Sequence, residues 1–186
     1  MTNTEIQDII QKTLTAIWER DVPWDYNSLW LLKEDTLKNA LYFHLRNQLG
    51  TLLDENDLRI FTEFTDGKFR GSGYRPDIVI AKIDRNKSVS YWGNAVTECL
   101  AVIEIKFKAD FQSHEEIEAD YEKLRHYAED LGVTGHLYMA TIWECEDDAT
   151  TWIRKNAAWA KGKVTELNAS YERGSNQKMR FYVYNH

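Results

Sequence analysis

The stretch CLAVIEIKFKAD, residues 99–110, places Glu104 and Lys106 in a run that otherwise has the composition of a buried β-strand. Side chains alternate between the two faces of a strand, so Glu104 and Lys106 share one face while Ile103 and Ile105 share the other. Burying an unpaired charge costs far more free energy than one apolar contact returns. The charged face therefore either lies in water, as in many half-exposed strands, or meets other charged groups inside the protein.

The composition is that of one folded domain. The chain has 186 residues, of which 43% are hydrophobic and 28% are charged, and this length suits a single hydrophobic core. No apolar run approaches the roughly 20 residues of a membrane helix, and the start MTNTEIQDII lacks the basic and apolar blocks of a signal peptide. We therefore expect a cytoplasmic protein with no membrane partner.

The charge is distributed unevenly along the chain. The formal net charge is -7, which argues against a protein that coats nucleic acid, yet residues 153–186 contain seven Lys or Arg against two Glu. This segment thus carries +5 and the rest of the chain -12. The seven cations are Arg154, Lys155, Lys161, Lys163, Arg173, Lys178 and Arg180. They are interpreted either as a basic nucleic-acid face on an acidic body or as ordinary surplus surface charge.

Helical and strand-like segments alternate along the sequence. Apolar residues at the helical period predict helices over residues 4–19, 34–50 and 114–132, the first of them ended by the proline-containing segment 21–30. Runs rich in β-branched and aromatic residues predict strands over residues 58–65, 74–83, 99–107 and 135–143. The C-terminal part is predicted as a short helix, 148–161, and a strand pair, 163–172 and 178–185. The expected fold is mixed α/β, with a central mixed sheet flanked by helices.

Three of the predicted strands each carry one carboxylate. Glu63 interrupts IFTEFT, Asp77 enters RPDIVI, and Glu104 lies in the third strand. If these strands are neighbours, the three acids form a candidate site for Mg²⁺ or Mn²⁺, which prefer hard oxygen ligands. Lys106, on the same face as Glu104, would then stabilise charge that develops on a phosphate.

Pro76 and Asp77, followed about thirty residues later by Glu104, Ile105 and Lys106, resemble the signature of the PD-(D/E)XK nuclease superfamily. The predicted order of helix, three antiparallel strands, helix and strand is similar to the restriction-endonuclease-like core of that superfamily. The resemblance covers residues 34–143 of a single domain, 1–186, and leaves 144–186 as a basic extension.

The resemblance implies a function and roles for particular residues. It implies metal-dependent hydrolysis of a nucleic-acid phosphodiester, with DNA as the preferred substrate. Asp77 and Glu104 would bind Mg²⁺ or Mn²⁺ with help from Glu63, and Asp77, Glu104 and Lys106 would form the catalytic set. A nuclease-fold module that binds nucleic acid or a protein partner without cutting is the alternative. A homodimer would suit the cutting of both strands of a duplex.

Other charged residues are weaker candidates. Glu34 is either an additional metal ligand or an acid that suits the first turn of a helix. Lys123 either faces a phosphate or is a solvated lysine. Possible contacts with a phosphate backbone come from Lys68, Arg70 and Arg75. The acidic residues Glu115, Glu116, Glu118 and Asp120 are interpreted as a solvated helix face, and no histidine is assigned a catalytic role.

Overall fold

A computed structural model of the protein describes residues 1–109, 115–146, 151–154, 157–172, 174 and 178–186. It contains one six-stranded mixed β-sheet with α-helices packed on its faces, so the predicted mixed α/β class is confirmed. Within the described residues, no helix combines the length and the apolar composition that a bilayer crossing requires.

The described elements follow in chain order. The helices are α1 (Asn3–Ala16), α2 (Val22–Asn27), α3 (Glu34–Glu55) and α4 (Glu115–Glu129). The strands are β1 (Leu58–Thr62), β2 (Ile78–Ile83), β3 (Val96–Ala109), β4 (His136–Glu146), β5 (Val164–Tyr171) and β6 (Met179–Asn185).

The strands lie in the sheet in chain order. β1, β2 and β3 are antiparallel to one another, β3, β4 and β5 are parallel, and β6 returns antiparallel to β5. The predicted order of helix, three antiparallel strands, helix and strand is found as α3, β1, β2, β3, α4 and β4. The predicted C-terminal strand pair is also confirmed, and it completes the same sheet.

Each face of the sheet has its own hydrophobic core. On one face α3 buries a leucine at every fourth position, which is the spacing of a single helical stripe. These residues are Leu37, Leu41, Leu45, Leu49 and Leu53. On the other face, Tyr127 and Leu124 of α4 are buried in one cluster with Val102 of β3 and Met139 of β4. β3 is therefore covered on both sides, and Glu104 on this strand faces α4.

The segment around Pro23 departs from the prediction. The chain stays helical through residues 21–27, since a π-helical turn, Ile17–Asp21, leads directly into α2, and it leaves the helical conformation only at residues 28–30. Pro23 is the second residue of α2, directly after the π-helical turn.

The predicted helix over 148–161 is wrong for its described part. Residues 151–154 and 157–161 form bends and turns, while 148–150 and 155–156 lie outside the described residues. The backbone N–H groups of Trp152 and Ile153 donate to the buried carboxylate of Glu166, at 2.8 and 3.0 Å. The Glu166 side chain, on β5, thus accepts hydrogen bonds that backbone carbonyls one turn earlier would accept in a helix.

Candidate functional site

The three predicted acids lie in one row across the sheet. The backbone N–H of Glu63 donates to the carbonyl of Asp77 at 3.0 Å, which extends the β1–β2 pairing by one step. In the β2–β3 pairing Ile78 lies opposite Ile103, so Asp77 lies next to Glu104. Directly opposed residues in an antiparallel pair face the same side of the sheet. The sequence-based expectation that these strands are neighbours is confirmed.

Two of the acids lie just outside the strands in which they were predicted. The strand expected over 74–83 begins at Ile78, after Pro76, which has no N–H for the sheet ladder. The strand expected over 58–65 ends at Thr62, and Glu63 adopts a left-handed backbone conformation with φ of 52°. That conformation is uncommon for a residue with a Cβ and tends to occur at functional positions.

The Asp77 carboxylate has two partners. Its Oδ2 accepts the backbone N–H of Ile105 at 2.9 Å, and its Oδ1 lies 3.0 Å from the Nζ of Lys38 on α3. The same Lys38 ammonium donates to Glu63 Oε1, and Arg75 Nε lies 2.6 Å from Glu63 Oε2. Lys38 therefore bridges Asp77 and Glu63, two acids predicted to act together.

Glu104 is a buried acid beside another acid. The residue is 3% exposed, and its Oε1 accepts the hydroxyl of Tyr127 at 2.7 Å. Burial and the negative charge of Asp77 raise the pKa of Glu104 to about 8, although the Tyr127 hydrogen bond acts in the opposite direction. Glu104 is therefore mainly protonated at neutral pH in the absence of a bound cation. Its burial also shows that the interpretation of a water-exposed face is wrong for Glu104.

Lys106 lies on the same face as Glu104 and makes its ion pairs with two helices. Its Nζ is 2.9 Å from Asp120 Oδ2 on α4 and 3.2 Å from Glu34 Oε2 at the start of α3. Burial alone would lower the pKa of Lys106, but Asp120 and Glu34 outweigh this effect and raise it. Lys106 is consequently a cation at neutral pH.

The assignment of Asp120 to a solvated helix face is wrong. Asp120 is 3% exposed and lies between Lys106 and Lys123, with both of which it forms ion pairs. Its position three residues after Ile117 and four before Leu124 places it on the buried stripe of α4. The neighbouring Glu115, Glu116 and Glu118 are exposed, as predicted.

Positive and negative groups of the site are equal in number when Glu104 is protonated. The cations are Lys38, Arg75, Lys106 and Lys123, and the carboxylates are Glu34, Glu63, Asp77 and Asp120. In the described part of the chain, no three His, Cys, Asp or Glu side chains are grouped as a metal site. Mg²⁺ commonly takes only one or two protein carboxylates and keeps water in its remaining positions, so Asp77 and Glu104 fit it chemically.

An open pocket of about 600 Å³ adjoins these charges. Arg75 and Lys123 both line it, together with Tyr74. Their side chains are 65% and 41% exposed, so each offers donors to the solvent in addition to its internal ion pair. Lys123 is thus neither fully solvated nor buried, and its side chain lines the pocket.

The other predicted nucleic-acid contacts make internal interactions. Lys68 Nζ donates to the carbonyl of Gly132 at 2.7 Å, just past the end of α4. Arg70 pairs with Asp66 at 2.8 Å and lies over the ring of Tyr91. These contacts explain both residues without a ligand.

The basic C-terminal segment is only partly described. Lys155 and Arg173 lie outside the described residues, Lys161 and Lys163 are exposed, and Arg180 pairs with Glu172 at 3.0 Å. Because β6 and β1 form opposite edges of the sheet, Arg180 on β6 lies far from the acids beside β1.

Lys38 and Tyr127 belong to the site but were not predicted from the sequence. Lys38 follows Glu34 by four residues, and this spacing places both on one side of α3. Tyr127 follows Asp120 by seven residues, again on one side of α4. The sequence signal that could have identified Lys38 and Tyr127 was therefore their helical spacing from Glu34 and Asp120.

Comparison with protein-family models, curated proteins and solved structures gave no match to this chain.

Proposed function

We propose that the protein is a nuclease that hydrolyses nucleic-acid phosphodiester bonds with Mg²⁺ or Mn²⁺. The observation that carries the proposal is the pairing of Asp77 with Glu104 on one face of the sheet, where repulsion between them helps to raise the pKa of Glu104. A divalent cation between the two carboxylates would remove that repulsion. Metal binding and proton release are coupled in such sites.

The restriction-endonuclease-like core is part of the same proposal. It is supported by the order α3, β1, β2, β3, α4 and β4, and by the positions of the motif residues on it. Asp77 directly precedes β2, while Glu104 and Lys106 lie on one face of β3. DNA is the expected substrate on the resemblance of these residues to the nuclease signature.

Asp77 and Glu104 would hold the cation, with water completing its coordination. The bound cation supplies Lewis acidity and lowers the pKa of water at the site. Glu63 already forms ion pairs with Lys38 and Arg75, so we assign it the role of holding these two cations in place. Direct binding of Glu63 to the metal stays a prediction from the sequence. Glu34 likewise supports Lys106 through its 3.2 Å ion pair.

Lys106 acts in this scheme through its charge. Its pKa is raised by Asp120 and Glu34, so it holds its proton at neutral pH and is unsuited to be a general base. A partly buried cation on the Glu104 face would stabilise negative charge that develops on the attacked phosphate. Arg75 and Lys123, at the adjoining pocket, would bind flanking phosphates.

One observation favours the alternative of a module that binds nucleic acid or a protein partner without cutting. The Lys38 ammonium already neutralises Asp77 and Glu63, and the positive and negative groups of the site balance without a metal. A site of this kind is stable as an internal ion-pair network. The two functions differ in whether a divalent cation binds at Asp77.

The proposal is tested by incubating the protein with labelled duplex, single-stranded and branched DNA and with RNA. Each substrate is given Mg²⁺, Mn²⁺ or EDTA. The nuclease proposal expects cleavage of at least one substrate with metal and none with EDTA. Absence of cleavage across the panel, together with unchanged thermal stability in Mn²⁺, would favour the non-catalytic module.

A further inference from the structure

Lys38 forms an ion pair with Asp77, one of the two proposed metal ligands. Its side chain is 12% exposed, and its Nζ contacts Glu63 Oε1 and lies 3.0 Å from Asp77 Oδ1. Lys38 is therefore a protonated ammonium between two carboxylates.

The ammonium also has a third carboxylate within reach. Asp35 lies one helical turn before Lys38 on α3, with its Oδ1 4.0 Å from the same Nζ, and its side chain is 67% exposed. The helix backbone at this point is fixed by the buried Leu37 and Leu41, whereas the lysine side chain rotates about four bonds. A small rotation would therefore carry the charge from Asp77 toward Asp35.

We propose that the Lys38 ammonium is an internal cation that neutralises Asp77 and Glu63 in the metal-free protein, and that a divalent cation displaces it toward Asp35. The inference rests on the proposed metal site at Asp77 and Glu104. It assigns Lys38 a positioning role, since the lysine keeps the acids together when no metal is bound. It also makes Lys38 a competitor of the metal, so metal affinity is set partly by a residue that is not a ligand.

The matched control for Lys38 is Arg75. Both side chains pair with Glu63, but only Lys38 also pairs with Asp77. Lys38→Met and Arg75→Met each remove one positive charge near the site and keep an apolar stem. Simple electrostatics would affect Mn²⁺ binding similarly in both variants, whereas displacement of Lys38 from Asp77 would affect only the first.

The experiment measures the dissociation constant of Mn²⁺ by the paramagnetic resonance signal of the free ion, at pH 7.5 and one salt concentration. Lys38→Met should bind Mn²⁺ about tenfold more tightly than wild type, which corresponds to loss of one competing ion pair of about 1.4 kcal/mol. Arg75→Met should change affinity by less than about threefold, as expected for an exposed ion pair. Circular dichroism establishes that each variant is folded.

The possible outcomes separate this inference from the proposed function. Equal gains in Lys38→Met and Arg75→Met would overturn displacement and leave the metal site in place. Binding to Lys38→Met but not to wild type would support the internal cation and overturn the nuclease in favour of the non-catalytic module. No binding to either protein would overturn both proposals.

A second measurement does not depend on the variant folding. In wild-type protein with ¹³C-labelled lysine ε-carbons, the Lys38 signal should move as Mg²⁺ is added and should saturate with the metal dissociation constant. A Lys38 signal that stays in place while Mg²⁺ binds would overturn the displacement.

Discussion

The Asp77 carboxylate accepts a hydrogen bond from the backbone N–H of Ile105, with an Oδ2–N distance of 2.9 Å. Ile105 lies between Glu104 and Lys106, so this bond fixes Asp77 against the part of β3 that carries both charged residues. It also orients the other oxygen, Oδ1, toward Lys38. The two halves of the sequence motif are thus joined by a hydrogen bond from the backbone of β3 to the Asp77 side chain.

Glu104→Gln should change how stability depends on pH. The folded-state pKa of Glu104 is about 8 against an ordinary 4.5, so folding takes up a proton between these values. Stability from this group is therefore highest below about pH 4.5, falls as pH rises, and levels off above about pH 8. The slope is at most about 1.4 kcal/mol per pH unit.

Glutamine mimics the protonated acid, so the variant should gain stability over wild type as pH rises toward 8. Urea unfolding at pH 5, 6, 7 and 8 in EDTA measures this difference. Glu118→Gln, an exposed position on α4, is the control and should show a nearly constant difference from wild type. A pH-independent difference for Glu104→Gln would contradict a raised pKa.

Asp120→Asn should destabilise the protein by about 2 to 4 kcal/mol, because it removes a buried carboxylate that forms ion pairs with two lysines. Lys106 would keep only Glu34, and Lys123 would lose its ion pair. The free energy of unfolding in urea provides the measurement, with Glu118→Gln again as control. A cost within about 0.5 kcal/mol of the control would show that Asp120 is not needed for this network.

Neutralising Arg75 and Lys123 together should weaken nucleic-acid binding and reduce its dependence on salt. Each lost phosphate contact lowers the slope of log affinity against log salt by about 0.7 for a single strand. Fluorescence anisotropy with labelled DNA in EDTA measures this slope without cleavage. Lys161→Gln with Lys163→Gln, from the basic C-terminal segment, is the matched pair. If only this second pair lowers the slope, the binding face is the C-terminal segment.

The sequence predicted the strands and the shared face of Glu104 and Lys106 on β3, because alternation is a local property. It did not predict the partners of Lys106, since Asp120 and Glu34 come from two different helices that meet only in the folded sheet. Asp120 was misplaced because a helical stripe was read from apolar residues alone. The Asp120 carboxylate lies on that stripe, and its burial is tolerated because Lys106 and Lys123 neutralise its charge.

Similarly, the described part of the segment 148–161 does not form the expected helix, since Glu166, on β5, accepts hydrogen bonds from the backbone of Trp152 and Ile153. A side chain from a distant part of the sequence that replaces local hydrogen bonds produces no periodic pattern in the sequence. The positive φ of Glu63 is equally invisible in the sequence.

Asp77→Asn and Lys106→Met separate metal binding from catalysis. Asp77→Asn keeps the shape of a ligand and removes its charge, so both Mn²⁺ binding and hydrolysis should be lost. Lys106→Met keeps Asp77 and Glu104, so Mn²⁺ should still raise the melting temperature, as a ligand of the folded state does. Its hydrolysis should fall by a factor of about 100 to 1,000, the usual loss for one group that stabilises charge in the transition state.

The central claim is tested most directly by the rate at which wild-type protein cleaves a labelled DNA strand in Mn²⁺, measured beside Asp77→Asn at equal concentration. We predict cleavage by the wild type that EDTA abolishes, and a rate for Asp77→Asn that does not exceed the rate without protein. Wild-type protein that leaves the strand intact, or Asp77→Asn that cleaves it as fast as the wild type, would contradict the assignment of this site.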